Sequence, residues 1–300
     1  MLRIFPLYYT TLVLGLIVLP QLAAAGVLPL SAQRKLLAHD GQIWLWTYTL
    51  NLAMVFGWRV NADLLGHFWT LAIEEQYYLL WPWVVRRLSR EVLLRTCVGL
   101  MVGALALRIV FVSAGLGWEN AYHFTLCRLD AFGVGGLLAL LTRDAQWRDR
   151  LTKHAPAGLT VTGAALVLMF VSVPRFYPSE WLVVTFGHSV LAIASGGLIL
   201  LALRTPPPAW LEAAWLRTLG KYSYGIYVWH WPLQRLMLVY APAPPPSHVV
   251  GTGYAVAFLL IGVGGSALAG WVSYRVIEAP FLRLKRLFKY QVGAVKSESG

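Results

Sequence analysis

The chain has 300 residues, of which 58% are hydrophobic and 13% charged, with a mean hydropathy of +0.61. A soluble domain carries about 25% charged residues, so this composition excludes a water-soluble globular protein and makes lipid the main solvent. The net charge of +12 sits in short Lys/Arg clusters between apolar runs rather than on one soluble face, which argues against a nucleic-acid partner.

A membrane span needs roughly 20 apolar residues. Eight stretches qualify: about 7–28, 67–85, 92–114, 122–141, 158–175, 181–203, 222–240 and 251–274. The first is too long for a signal peptide, and no clean cleavage site precedes a soluble domain. Segment 43–57 is apolar but short, which predicts an interfacial or re-entrant helix. The proline clusters Pro206–Pro208 and Pro242–Pro246 fall between spans, where extended turns are tolerated. The fold class predicted is all-α, a polytopic integral membrane helical bundle of about eight transmembrane helices. Residues 1–285 form the transmembrane domain and 286–300 a basic and polar cytoplasmic tail.

Lys and Arg set the orientation. One set of connections holds Arg86, Arg87, Arg90 and Arg95, then Arg143, Arg148, Arg150 and Lys153, then Arg204, Arg217 and Lys221. Arg3 and the tail residues Arg283, Lys285, Arg286, Lys289 and Lys296 join them, whereas the opposite set holds only Arg34, Lys35, Arg59 and Arg175. A multi-pass protein of the inner (plasma) membrane follows, with both termini cytoplasmic. Cys97 and Cys127 then lie toward opposite faces, too far apart to bridge. No Cys/His cluster has metal-ligand spacing and no glycine-rich phosphate loop is present, so neither a metal nor a bound cofactor is expected.

An ionised group at mid-bilayer costs on the order of 3 kcal/mol on insertion scales, so polar residues inside apolar runs stand out. In HFWTLAIEEQYYLLWPW, His67, Thr70, Glu74 and Tyr77 or Tyr78 share one helical stripe. That stripe either lines a polar cavity or locks helices together through embedded arginines. Arg128 and Asp130 stand two apart, on different faces, ahead of Gly133, Gly135 and Gly136, which permit close helix approach. An ion pair between Arg128 and Glu74 is one expectation. Ser223, Tyr227, His230 and Gln234 make a third stripe beside Pro232, with His230 either a packed membrane histidine or an active-site group. Arg275 and Glu278 lie at the inner boundary, where an end-of-helix anchor is the simpler reading. Arg108 and Arg235 are further embedded cations without a motif.

These stretches resemble the acyltransferase 3 family of membrane-bound acyltransferases. HFWTLAIEEQYYLLWP (67–82) is similar to its Trp-Ser-Leu…Glu…Tyr-Tyr-Leu…Trp-Pro signature, with Thr70 in place of Ser. RLDAFGVGGLLAL (128–140), SYGIYVWHWPL (223–233) and YRVIEAP (274–280) are similar to the family's Arg-x-Asp…Gly, Ser-Tyr-x-x-Tyr-x-x-His-x-Pro and closing Glu-x-Pro segments, in the same order. The resemblance implies transfer of an acyl group, often acetyl, from cytoplasmic acyl-CoA to a hydroxyl of a saccharide, lipid-linked sugar or other acceptor. Its donor is a substrate rather than a resident cofactor.

The resemblance also implies ten membrane helices, of which the eight read here match the last eight. The chain is therefore expected to be internal to a longer protein or a shortened copy. The family's first helix, with the histidine thought to act in transfer, has no counterpart in it. The site residues implied are Glu74 and Arg128 as organisers, His67 and Tyr78 lining the cavity, His230 and Glu278 in second rank, and Arg3 on the phosphates or pantetheine arm of CoA. A transporter or flippase is the rival reading, in which the embedded Glu, Arg and His couple ions; the absence of similar halves weighs against it. A non-catalytic scaffold is a third.

Overall fold

A computed structural model of the protein describes residues 2–27, 40–60, 63–173, 177, 179–240 and 248–287. Every regular element among them is helical. In chain order these are α1 (Ile4–Ala24), α2 (Gln42–Trp46), α3 (Leu50–Val55), α4 (Trp69–Arg87), α5 (Arg90–Ser113), α6 (Trp118–His123) and α7 (Leu129–Leu141). There follow α8 (Ala145–Ser172), α9 (Val183–Ala202), α10 (Ala214–Tyr240) and α11 (His248–Ser273). Short 3₁₀ turns, Gly66–Phe68 and Thr125–Arg128, lead into α4 and α7.

Among the described residues five helices are long and apolar enough to cross a membrane: α1, α5, α8, α9 and the stretch Gly253–Leu287. The other three expected spans fall on α4, α7 and α10. Helix α4 carries Glu74, Glu75, Arg86 and Arg87 among its 19 residues. The stretch expected as one span from 122 to 141 is divided. Helix α6 ends at His123, Phe124 is extended (φ −71°, ψ 127°), and α7 has only 13 residues. Thirteen residues rise about 20 Å, short of a hydrocarbon core of about 30 Å. Helix α8 starts well before the expected span, where Asp144 caps it by accepting from the amides of Gln146 and Trp147 (2.9 and 3.2 Å).

The chain divides into two compact units. One takes α1, residues 63–65, α10 from Thr218 onward, and α11. Its defining contact is glycine on glycine: a Cβ placed at Gly225 of α10 would lie 2.9 Å from the Cα and carbonyl oxygen of Gly270 and 2.8 Å from Ser273 Oγ. Lipid offers no hydrophobic drive for helix pairing, so close backbone approach supplies it through packing. We expect Gly225→Val to lower the thermal unfolding midpoint of the purified protein by an amount equivalent to about 1–3 kcal/mol. Gly264→Ala, where a Cβ meets nothing within 4 Å, serves as the silent control. Beyond Ser273 the helix passes through a π-turn, Tyr274–Glu278, into Ala279–Arg283, and Pro232 lies inside α10 without ending it.

The second unit spans residues 39–62 and 66–217. Here α7 packs on α5 so closely that a Cβ at Gly133 would lie 2.7 Å from the Cys97 carbonyl. Gly136 faces Cys97 Sγ and Trp81, while Gly135 faces open space. Close approach therefore accounts for two of the three glycines anticipated, and the third borders a groove. Cys97 and Cys127 are both buried free thiols. Segment 43–57 forms α2 and α3, too short to span, and is held by three neutral side chains. Gln76 Nε2 donates to Asn51 Oδ1 (2.9 Å), Asn51 Nδ2 to Thr125 Oγ1 (2.8 Å), and Thr125 Oγ1 to Gln76 Oε1 (2.7 Å). The other Gln76 donor meets the carbonyl of Tyr48 (2.9 Å), a residue in the left-handed region with φ 56°.

Candidate functional site: two buried arginines

Two arginines meet near the start of α7, and their surroundings differ sharply. Arg108, on α5, is fully buried, and each of its three nitrogens makes at least one hydrogen bond. Its Nε donates to the Thr185 carbonyl (2.9 Å), Nη1 to the Cys127 carbonyl, and Nη2 to Asp130 Oδ2 (2.8 Å) and Ser189 Oγ (2.6 Å). Ser189 in turn donates to Asp130 Oδ2 (2.8 Å). Asp130 sits in the first turn of α7, where the helix dipole favours an anion, and its Oδ1 accepts from the amide of Ala131 (3.0 Å). The carbonyl of Thr185 belongs to the π-turn Val183–Gly187 that opens α9. A buried pair hydrogen-bonded in this way ties α5, α7 and α9 together.

Because Arg108 neutralises Asp130, Arg128 is left without a carboxylate. Among the described residues it makes no ion pair, and its buried Nη1 has no hydrogen-bond partner. The guanidinium lies over the rings of Trp69 (5.8 Å) and Tyr122 (5.4 Å), which hold a cation by their quadrupoles. Tyr122 also contacts His188 (ring centroids 5.4 Å), whose buried Nε2 has no partner among the described residues. Trp69, Tyr122 and His123 pack on one another with centroids 4.7 to 5.2 Å apart. Arg128, Asp130 and His188 border an open groove of about 200 Å³ between α7 and α9, in which Leu191, Ser195 and Ile199 are exposed. Through Arg128 this groove carries positive charge.

The expected pair between Arg128 and Glu74 does not form: among the described residues Glu74 makes no ion pair, and Arg128 rests on aromatic faces instead. The expected stripe is also shifted at its start, because His67 lies in the 3₁₀ turn before α4 rather than on the helix. His67 is buried against Phe68 (centroids 4.5 Å). Glu74 is half-buried, whereas Glu75 is buried with Oε1 lacking a hydrogen-bond partner among the described residues. Tyr78 is 46% exposed; Tyr77 instead stacks on Phe132 (4.1 Å) and Trp81 (5.0 Å). The sequence reading passed over His188 and Ser189. Both are polar residues inside the apolar run 181–203, the same signal that singled out the others, but no motif surrounds them.

Arg3 and His230 belong to the other unit. Arg3 Nη2 donates to the Lys221 carbonyl (3.0 Å), and its Nε lies 3.6 Å from the carboxylate of Glu278, which is fully buried. Tyr224 OH donates to the Ile4 carbonyl (2.7 Å), and Lys221 Nζ lies over Tyr222 and Tyr274 (5.2 and 4.9 Å). Glu278 thus anchors the end of its helix to α1, with 43% of the Arg3 side chain still exposed. His230 Nδ1 donates to the Tyr227 carbonyl (2.5 Å), since a carbonyl only accepts. His230 and Gln234 face a groove of about 740 Å³ between α10 and α11. Among the described residues no group of His, Cys, Asp and Glu has the arrangement of a metal site.

A family model described as an acyltransferase domain matches residues 1–272. The peptidoglycan O-acetyltransferase OatA of Listeria monocytogenes is 27% identical over 229 residues, covering 72% of this chain and 35% of that protein. The O-acetyltransferase OatA of Staphylococcus aureus is 28% identical over 231 residues, covering 72% of this chain and 36% of its own length. The chain thus spans about a third of the length of the curated relatives it matches. No solved structure matches it. An all-helical polytopic membrane protein with embedded charge and a match over most of its length, the chain belongs to the acyltransferase 3 family.

Proposed function

We propose that the chain is the membrane-embedded part of an O-acyltransferase that moves an acyl group, acetyl in the first instance, from acyl-CoA to a hydroxyl of a cell-envelope saccharide. The names of its relatives make peptidoglycan the leading acceptor. The protein sits in the inner (plasma) membrane with both termini cytoplasmic. The observation that carries this reading is Arg128: a cation kept at the edge of a mostly apolar groove with an N–H unspent.

In acyl transfer the acceptor oxygen bonds to the thioester carbonyl carbon and the carbonyl electrons move onto its oxygen. They return as the carbon–sulfur bond breaks, and CoA leaves as a thiolate. The hydroxyl proton passes through a base to that thiolate. The charge that develops on the carbonyl oxygen calls for a donor fixed in advance in a dry site, and the Nη1 of Arg128 has that character. Glu74, His67 and Tyr78 are assigned to the acceptor path and His230 to a reserve role. Arg3, tethered by Glu278 with part of its guanidinium exposed, is assigned to the phosphates or pantetheine arm of the donor.

Membranes containing the full-length protein, supplied with acetyl-CoA labelled in the acetyl group, are expected to pass label to a base-labile ester on the saccharide fraction. Arg128→Gln is expected to suppress that transfer. Labelled saccharide at the level of membranes lacking the protein would refute the reading.

A further inference from the structure

Two cations, Arg3 and Lys221, stand side by side in the unit built from α1, α10 and α11. We propose that Lys221 joins Arg3 in a two-cation seat for the phosphates of the acyl-CoA donor, with Tyr274 as the positioning residue that holds the ammonium in place. The proposal rests on the acyltransferase reading and its donor.

One stretch of helix places both. The π-turn Tyr274–Glu278 sets Tyr274 and Glu278 four residues apart, neighbours on one face. Lys221 Nζ lies over the ring of Tyr274 (4.9 Å) and over that of Tyr222 (5.2 Å), and the two rings meet edge to face with centroids 5.2 Å apart. Arg3 Nε lies 3.6 Å from the Glu278 carboxylate, and its Nη2 donates to the carbonyl of Lys221 itself (3.0 Å). The guanidinium and the ammonium therefore hang beside each other, about one turn apart along the same helix face.

The charges at this place do not balance. A single carboxylate, Glu278, faces the two cations, and it is fully buried. Lys221 is exposed, as is 43% of the Arg3 side chain. Among the described residues Lys221 makes no ion pair. An ammonium steadied over two rings by their quadrupoles has given up part of its rotamer freedom before any ligand arrives, which lowers the cost of binding. Lysine meets phosphate as a point charge and arginine as a planar fork, so together they suit a ligand with several phosphate groups, as CoA has. A phospholipid headgroup offers the same chemistry from another source.

The test measures binding to purified full-length protein in detergent by isothermal titration at constant ionic strength. The probes are CoA and pantetheine, which is the same thiol arm without phosphate. The unaltered protein is expected to prefer CoA, and Lys221→Met to narrow that preference by about fivefold, the size of one charged contact at an exposed site. Lys221→Arg keeps the charge and the ring contact and is expected to restore it. Tyr274→Leu is expected to narrow the preference, whereas Tyr274→Phe retains the ring face and is not. Arg275→Gln removes the same unit of charge from the next stripe, where the guanidinium lies over Trp271 (4.2 Å), and is expected to leave the preference intact. An unchanged preference in Lys221→Met overturns the proposal, and so does an equal loss in Arg275→Gln, which would reduce the effect to overall charge. Nanodiscs separate the lipid source. If Lys221→Met spares the CoA preference but abolishes a rise in the unfolding midpoint that phosphatidylglycerol gives over phosphatidylcholine, the phosphate held is a headgroup's and the proposal falls. A protein that transfers acetyl groups without a Lys221-dependent preference overturns the seat alone. One that prefers CoA through Lys221 yet never acylates a saccharide overturns the transferase reading instead.

Discussion

Arg108→Met is expected to destabilise the protein by about 3–5 kcal/mol, because it strands Asp130 as a buried charge without its counterion. The loss extends past the pair. Arg108 also serves the carbonyls of Thr185 and Cys127 and the hydroxyl of Ser189, so three further acceptors lose a donor in an interior with little water to replace it. Arg108→Lys is expected to recover only part of the loss, since an ammonium cannot reproduce the planar fork that meets these acceptors together. The decisive comparison is the double variant Arg108→Met/Asp130→Leu. Removing both charges of a buried pair is often close to neutral where removing one is not. The double variant should therefore unfold at a higher temperature than either single one. Thermal unfolding of the purified protein and the yield of folded material measure this directly. If the double variant is no better than Arg108→Met, then the four hydrogen bonds, not the charge balance, hold α5, α7 and α9 together.

Arg128→Gln should do the opposite, losing activity while leaving the fold intact. Removing one fixed donor from a developing oxyanion costs about 10²–10³ in rate, and that is the drop expected in the labelled-acetyl assay. Stability should hold, because among the described residues Arg128 has no ion pair to lose. Its contacts with Trp69 and Tyr122 contribute on the order of 0.5–2 kcal/mol, and relief of an uncompensated buried charge offsets part of that. Arg128→Lys keeps the charge but loses the flat face that rests on two rings, so it should fall between the two. If Arg128→Gln unfolds as readily as Arg108→Met, Arg128 is a structural residue and its assignment to the reaction fails.

The contrast between these two arginines also marks where sequence reasoning reached and where it stopped. Insertion cost singled out Arg108, Arg128, Glu74 and Glu278 without any structure, and the apolar runs located most of the long helices. Pairing was the harder matter. Arg108 and Asp130 are 22 residues apart on different helices, and no periodicity links them, so Arg128 was matched with Glu74 on charge alone. His188 and Ser189 were missed for a related reason. They begin the regular part of α9 after a π-turn, and such a turn leaves no mark in the hydropathy pattern. The division of 122–141 was hidden because Phe124, Leu126 and Cys127 keep the stretch apolar while the backbone leaves the helix. Conversely, glycine spacing announced close approach, but only the packing separates Gly133 and Gly136, which permit it, from Gly135, which borders the groove between α7 and α9.

The circuit of Asn51, Gln76 and Thr125 has a sense of rotation. Each side chain gives a proton to the next and takes one from the last, so the direction in which the amides point is settled by the company they keep. Reversing one member would set donor against donor at one junction and oxygen against oxygen at another. Shape alone therefore does not make a substitution safe here. Gln76→Glu matches the amide in outline but turns an oxygen toward the carbonyls of Tyr48 and Asn51, where two protons belong. A short segment that cannot cross the bilayer is thus fastened by handedness rather than by charge, in a lock that admits neither an acid nor a base.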